Sequence, residues 1–92
     1  MELKEIKKGS DNNPYKIGTC DFWVYHTLAH CFTLHDYIKA ASVKSRCVWK
    51  VYSKSTVSNA LLVLEKDGYL KFDSKTGAGE HLYIKHGQVK GV

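Results

Sequence analysis

The sequence predicts a single α+β domain, three helices followed by a two-stranded β-hairpin, with a polar arm in front. Three observations carry this. Val24, Leu28 and Cys31 repeat at helical spacing, as do Val57, Leu61 and Leu64. Lys66-Asp67-Gly68 supplies a glycine stop to the second of these runs. Two alternating runs, Tyr69 to Asp73 and His81 to Lys85, then flank the turn Lys75-Thr76-Gly77-Ala78-Gly79. The chain's 92 residues fit one domain and one modest core. A composition of 43% hydrophobic and 25% charged residues with one proline excludes disordered, collagen-like and low-complexity architectures. No apolar run approaches the ~20 residues of a membrane span, and MELKEIKK has no apolar signal core.

Residues 1–18 are polar apart from Leu3, Ile6, Tyr15 and Ile17, and Asp11-Asn12-Asn13-Pro14 marks a turn. This stretch is an expected arm, ordered where it docks on something; residues 19–92 form the expected domain. Thr19 or Asp21 can cap the first helix, whose stripe Tyr25 and Phe32 widen. Thr33 with Asp36 resembles a capping box, and Leu34, Ile38 and Ala41 predict a second helix over 34–41. Ser53 is the expected N-cap of a third helix over 54–67. In the hairpin, Leu70 and Phe72 share one face, and Leu82 and Ile84 share another.

The net charge of +5 is unevenly placed. Residues 1–32 carry four lysines against four acids, so residues 33–92 hold the whole excess. Between Asp36 and Glu65 there is no acid, while Lys39, Lys44, Arg46, Lys50 and Lys54 fall in that window. Such a window favours a polyanionic partner, because a merely solvated face normally mixes signs. Only one of the fourteen basic residues is arginine, which weighs against dense bidentate reading. Three cysteines are an odd number, which speaks against a closed disulfide framework, so reduced thiols in a cytoplasmic setting are expected, with an intersubunit bridge as the alternative and Cys31 a small core residue. His26 and His30 share a helical face as zinc ligands would. Cys31 is turned away, His35 falls past the helix, and no C-x-x-C pair supports a metal site. No nucleophile-elbow, phosphate-loop or metalloprotease pattern is present, so neither an enzyme nor a cofactor is expected.

Phe32-Thr33-Leu34, then Ser53-Lys54-Ser55-Thr56-Val57-Ser58-Asn59, then Leu61 and Leu64-Glu65-Lys66-Asp67-Gly68-Tyr69-Leu70 resemble a winged helix-turn-helix domain. The resemblance covers roughly residues 20–86, and STVSNALLVLEKDGYL is similar to the corresponding segment of MarR-like regulators. It implies that Val57, Leu61 and Leu64 anchor a recognition helix. Lys54, Ser55, Thr56, Ser58 and Asn59 would then face the major groove of double-stranded DNA. Ser53 and Thr56 also suit plain helix capping, and Asn59 reads as either a base contact or a surface amide. Lys71, Lys75 and His81 would lie on or near the wing, against the backbone or minor groove, or else solubilise the hairpin.

The sequence departs from that pattern in three places. Eleven residues, 42–52, stand where a short turn is usual, so either the second helix extends beyond Ala41 or a loop is inserted; with Lys44, Arg46 and Lys50 the stretch is either a second DNA-contacting element or a core lid built on Trp49. Leu62 and Val63 are apolar where such regulators often carry charge, so they need a cover: the arm, the insertion or a second subunit. The Pro-Pro-x-Trp of Z-form nucleic-acid binders is missing; Gly77-Ala78-Gly79 stands in its place. The function expected is therefore that of a homodimeric, sequence-specific DNA-binding regulator without cofactor, membrane or small-molecule partner. It resembles the compact regulators of viruses and mobile elements. A protein-interaction module and a replication or RNA-binding protein are the alternatives on the same scaffold.

Overall fold

The structure, a computed structural model, describes residues 3–7, 13–31, 37–48, 52–73 and 81–87. Its order is β1 (Glu5–Lys7), α1 (Cys20–Cys31), β2 (Tyr37–Lys39), α2 (Ala40–Val48), α3 (Lys54–Lys66), β3 (Leu70–Phe72) and β4 (His81–Gly87). All three other strands pair with β4. β2 and β3 run antiparallel to it, at Tyr37↔Tyr83 and Lys71↔Tyr83, and β1 runs parallel, at Ile6↔His86. The result is a mixed four-stranded sheet rather than a hairpin alone. Ile38, Leu70, Leu82 and Ile84 point to the face on which the helices pack, and they join Val24, Leu28, Val43, Val57, Leu61 and Leu64 in one core. Among the described residues no helix is long and apolar enough to cross a membrane.

α3 follows its local signals. Ser53 has extended dihedrals, and its hydroxyl accepts from the Thr56 amide, so the expected cap is in place. Val57, Leu61 and Leu64 are fully buried. At the other end the Gly68 amide donates to Glu65 O at 3.0 Å and the Tyr69 amide to Leu64 O at 2.9 Å. These two bonds form a Schellman closure, which requires a left-handed residue; Gly68 supplies it at φ +91°. α1 starts on Thr19, whose Oγ1 accepts from the Phe22 amide at 3.2 Å. Its buried face is Val24, Tyr25, Thr27, Leu28 and Ala29, with the Thr27 hydroxyl satisfied by Trp23 O at 2.7 Å.

Two expectations are corrected. The helix over 34–41 is not formed: Tyr37–Lys39 is a strand, and the second helix starts at Ala40. The 34/38/41 spacing misleads because Ile38 is buried by the strand's own alternation, while Ala41 is exposed; the helix buries Ala40 and Val43 instead. Aromatic and β-branched residues favour that extended stretch, and pairing with β4 fixes it. Most of the supposed insertion 42–52 is therefore the second helix itself, leaving residues 49–53 as the connection to α3. Phe32, Thr33, Leu34, His35, Asp36, Trp49, Lys50, Lys75 and the Gly77-Ala78-Gly79 tip lie outside the described residues. The second correction concerns Cys31, which is a thiol exposed at the end of α1 rather than in the core.

The N-terminal segment docks through Ile6, which is fully buried, and through the Lys4 amide, which donates to Gly68 O at 2.8 Å. Behind it, Asn13 folds the chain toward α1: its Oδ1 accepts from the Tyr15 amide and its Nδ2 donates to Phe22 O. Tyr15, Tyr25 and Tyr69 then pack edge-on or tilted, with centroids 5.3–6.1 Å apart. Lys4 Nζ lies 5.3 Å from the Tyr69 ring centre, and Tyr15 donates to Asp67 Oδ2 at 2.8 Å. This cluster ties the arm, α1 and the end of α3 together. Burial, followed by the bond to Asp67, pushes the Tyr15 hydroxyl well above the ordinary tyrosine pKa. Burial and the nearby Tyr69 do the same to Tyr25. Burial, helped by Asp67, also raises the Asp21 carboxyl.

Replacing Ile6 with Ala should destabilise the fold by about 2–4 kcal/mol, read as a lower urea midpoint at unchanged slope. An unchanged midpoint would mean that β1 adds nothing to the core. Tyr15→Phe should cost about 1 kcal/mol at neutral pH by removing the bond to Asp67. Its second effect is on pH dependence. Above a pH of about 10 the unfolded chain loses its tyrosine protons while folded Tyr15 keeps its own, so wild-type stability falls as pH rises. Melting curves across that range should show a shallower fall in Tyr15→Phe, with the remainder due to Tyr25.

Candidate nucleic-acid interface

The core-facing side of α3 is fixed by Val57, Ala60, Leu61 and Leu64, so its other side must face outward. Lys54, Ser55, Thr56 and Asn59 are exposed there, and Ser58 is half-buried. Three hydroxyls cluster at the start of the helix: Ser53 Oγ lies 3.2 Å from Ser55 Oγ and 2.8 Å from Thr56 Oγ1. Ser53 and Thr56 therefore serve the cap, and Lys54 and Asn59 project beyond it. The helix start is electropositive from its own peptide dipoles, and no acid stands in its first turn. Its two C-terminal acids are engaged with the fold. Glu65 Oε2 accepts from the Phe72 amide at 3.1 Å, and Asp67 accepts from Tyr15.

α2 brings a second basic element to the same region. Lys44 and Ser58 both line an open groove of about 370 Å³ between α2, α3 and β3, whose walls also include Leu61, Leu62 and Phe72. Arg46 is exposed in the last turn of α2. Leu62 and Val63 are 53% and 37% exposed, so the apolar pair on α3 stands uncovered in the isolated chain. Lys71 does not join this group. It is exposed on β3 with its side chain opposite in sense to buried Leu70, which places it on the sheet face away from the helices.

That outer sheet face holds residues the sequence reading did not gather. Tyr37, His81 and Tyr83 meet there, Tyr37 stacked on His81 at 5.1 Å and 5° and packed on Tyr83 at 4.6 Å. The hydroxyls of Tyr37 and Tyr83 both donate to Asp73 Oδ2, at 2.7 and 3.4 Å. Alternation over 81–85 already set Tyr83 apart from Leu82 and Ile84, but a helical reading of 34–41 hid Tyr37 from it. On α1 the His26 and His30 rings stack at 4.2 Å, with Phe22 and Trp23 against His26. Among the described residues no group of three or more His, Cys, Asp or Glu side chains could hold a metal ion.

A scan against protein-family models, a search of curated proteins and a search of solved structures each return no match to this chain.

Ser53→Ala removes the acceptor that the Thr56 amide uses. It should cost about 1 kcal/mol in stability, a loss that Ser53→Asp restores because a carboxylate caps equally well. Chemical denaturation of the two variants tests this; equal losses would show that the hydroxyl cluster is not a cap.

Proposed function

We propose that this chain is a winged-helix protein that binds double-stranded DNA sequence-specifically, as a homodimeric transcription regulator. The observation that carries the reading is α3. Its back is locked into the core by Val57, Leu61 and Leu64, and its exposed first turns offer Lys54, Ser55 and Asn59 with no acid in the helix's first turn. Short polar side chains let a helix start approach a phosphate or base edge, and an asparagine amide can pair with adenine. The order helix, strand, helix, helix, strand, strand suits a winged helix, with β3 and β4 as the wing. Once the second helix is placed at Ala40–Val48, the link between α2 and α3 is short, as a helix-turn-helix requires. Lys44 and Arg46 on α2 supply phosphate contacts beside α3, and Lys71 belongs to the wing.

The exposed Leu62 and Val63 support a second subunit as their cover. Two copies would present two reading helices to two half-sites, which compensates for the small contact area of one. The same apolar pair also favours the competing reading, a winged helix that binds another protein.

Selection of bound sequences from random duplex DNA at two salt concentrations separates these. Enrichment of a palindrome, with affinity falling steeply as salt rises, is the expected result. Lys54→Glu should abolish measurable binding at physiological salt, while its thermal midpoint stays within a few degrees of wild type. Salt-insensitive binding to a protein with no retention of duplex would replace DNA recognition by the protein-interaction reading. Preference for structured RNA in competition would replace it by the RNA-binding one.

A further inference from the structure

We propose that the outer face of the sheet is a second binding surface, a platform on which single-stranded DNA stacks its bases. The face is defined by strand alternation. Ile38, Leu70, Leu82 and Ile84 point into the core, so Tyr37, Lys39, Lys71, His81 and Tyr83 point the other way. Cross-strand register puts Tyr83 between Tyr37 and Lys71, and His81 beside Lys39. Three rings are therefore contiguous on a pleated surface, with a lysine on either side.

Exposure and charge point to the occupant. Tyr83, on the central strand, is 43% exposed, and Tyr37, on the flanking β2, is 40% exposed. A purely solubilising face has no use for them. Their orientation is set by Asp73, which follows β3 beside His81 and whose carboxylate accepts from both hydroxyls. Pre-set rings lose little freedom on binding, which favours stacking of a flat, unpaired base. Lys39 and Lys71 are exposed and stand opposite His81 and Tyr83 in the register, and the described carboxylate on this face, Asp73, is buried, so a phosphate backbone crossing the strands meets the two lysines first. At the far end of β4, Lys85 stands opposite Glu5, and the basic character stops there. Duplex bases have their faces covered by their neighbours and cannot stack on these rings. The tyrosine hydroxyls both spend their protons on Asp73 and have none left to donate to a ribose 2′-hydroxyl, so these rings offer no hydroxyl donor that would single out RNA, and the face is assigned to DNA.

The surface lies on the opposite side of the sheet from α3; it shares Lys71 and the wing strands with the duplex-binding reading but none of the α3 residues that carry that reading, so the two are tested by different variants. The test is fluorescence anisotropy of the full chain with a labelled oligothymidylate of about 12 nucleotides, beside oligouridylate of equal length and a duplex. Wild type should bind the oligothymidylate, with affinity falling as salt rises. Tyr83→Leu keeps an apolar strand residue but removes the ring, and should weaken that binding about tenfold while leaving duplex binding unchanged. Tyr83→Phe keeps the ring and should stay close to wild type. Lys39→Glu, an exposed change that does not touch the rings, should weaken it as well and serves if Tyr83→Leu fails to fold. No binding of oligothymidylate by wild type overturns the proposal, as does full affinity in Tyr83→Leu, or in Lys39→Glu where that variant stands in. Tighter binding of oligouridylate overturns the assignment to DNA. Single-strand binding without any duplex binding would retain this surface and reject the α3 reading.

Discussion

Every strand among the described residues depends on the backbone of β4. β2 and β3 both pair with residues 82 and 83 and so must flank it, and β1 pairs further along at residues 85–87. None of the other three is longer than three residues, too short to hold a sheet by itself. β4 also sets the two faces, because Leu82 and Ile84 commit one side to the helices. A substitution that turned β4 over by one residue would bury Tyr83 and Lys85 and expose the core. The helices are arranged by the same strand at one remove, since α3 leads into β3 through Gly68 and β2 runs directly into α2.

This arrangement separates two chemically different surfaces. On the helical side, α3 shows short polar groups and an apolar pair, with Lys44 and Arg46 from α2 close in sequence and fold. On the sheet side, rings and lysines share a flat face over Asp73. Three of the acids among the described residues have structural uses: Glu65 closes onto the Phe72 amide, Asp67 holds Tyr15, and Asp73 holds two tyrosines. Their partners are amides and hydroxyls, not lysines, so these carboxylates leave the excess lysine charge open to a partner.

What could be read from residues alone was what is decided within one turn or one strand. α3 was legible because its cap, its buried stripe and its glycine stop are neighbours in sequence, and packing agrees with all three. The strand at Tyr37–Lys39 was not. Three residues carry too little periodicity to override a helical spacing of Leu34, Ile38 and Ala41, and its partner lies more than forty residues away at His81–Tyr83. The same misplacement left residues 42–48, most of α2, standing beyond the expected end of the second helix. β1 was hidden for a similar reason, since Ile6 alone among charged residues gives no pattern until β4 is beside it. The polar face of α3 was anticipated with its helix. The tyrosine face was missed because one of its rings sits on the misassigned strand.

The parallel pairing of β1 with β4 has a kinetic side. Glu5 and Lys85 come from opposite ends of the described residues, so their register closes a loop that spans nearly all of them. Loop-closure entropy makes such contacts late, after the helices and the local β3–β4 pair are in place. Until then Ile6 has no pocket, and the exposed edge of β4 is open to the wrong strand, including one from another copy. The first strand in the sequence is then the last to fold, and its arrival is what closes the sheet to neighbours.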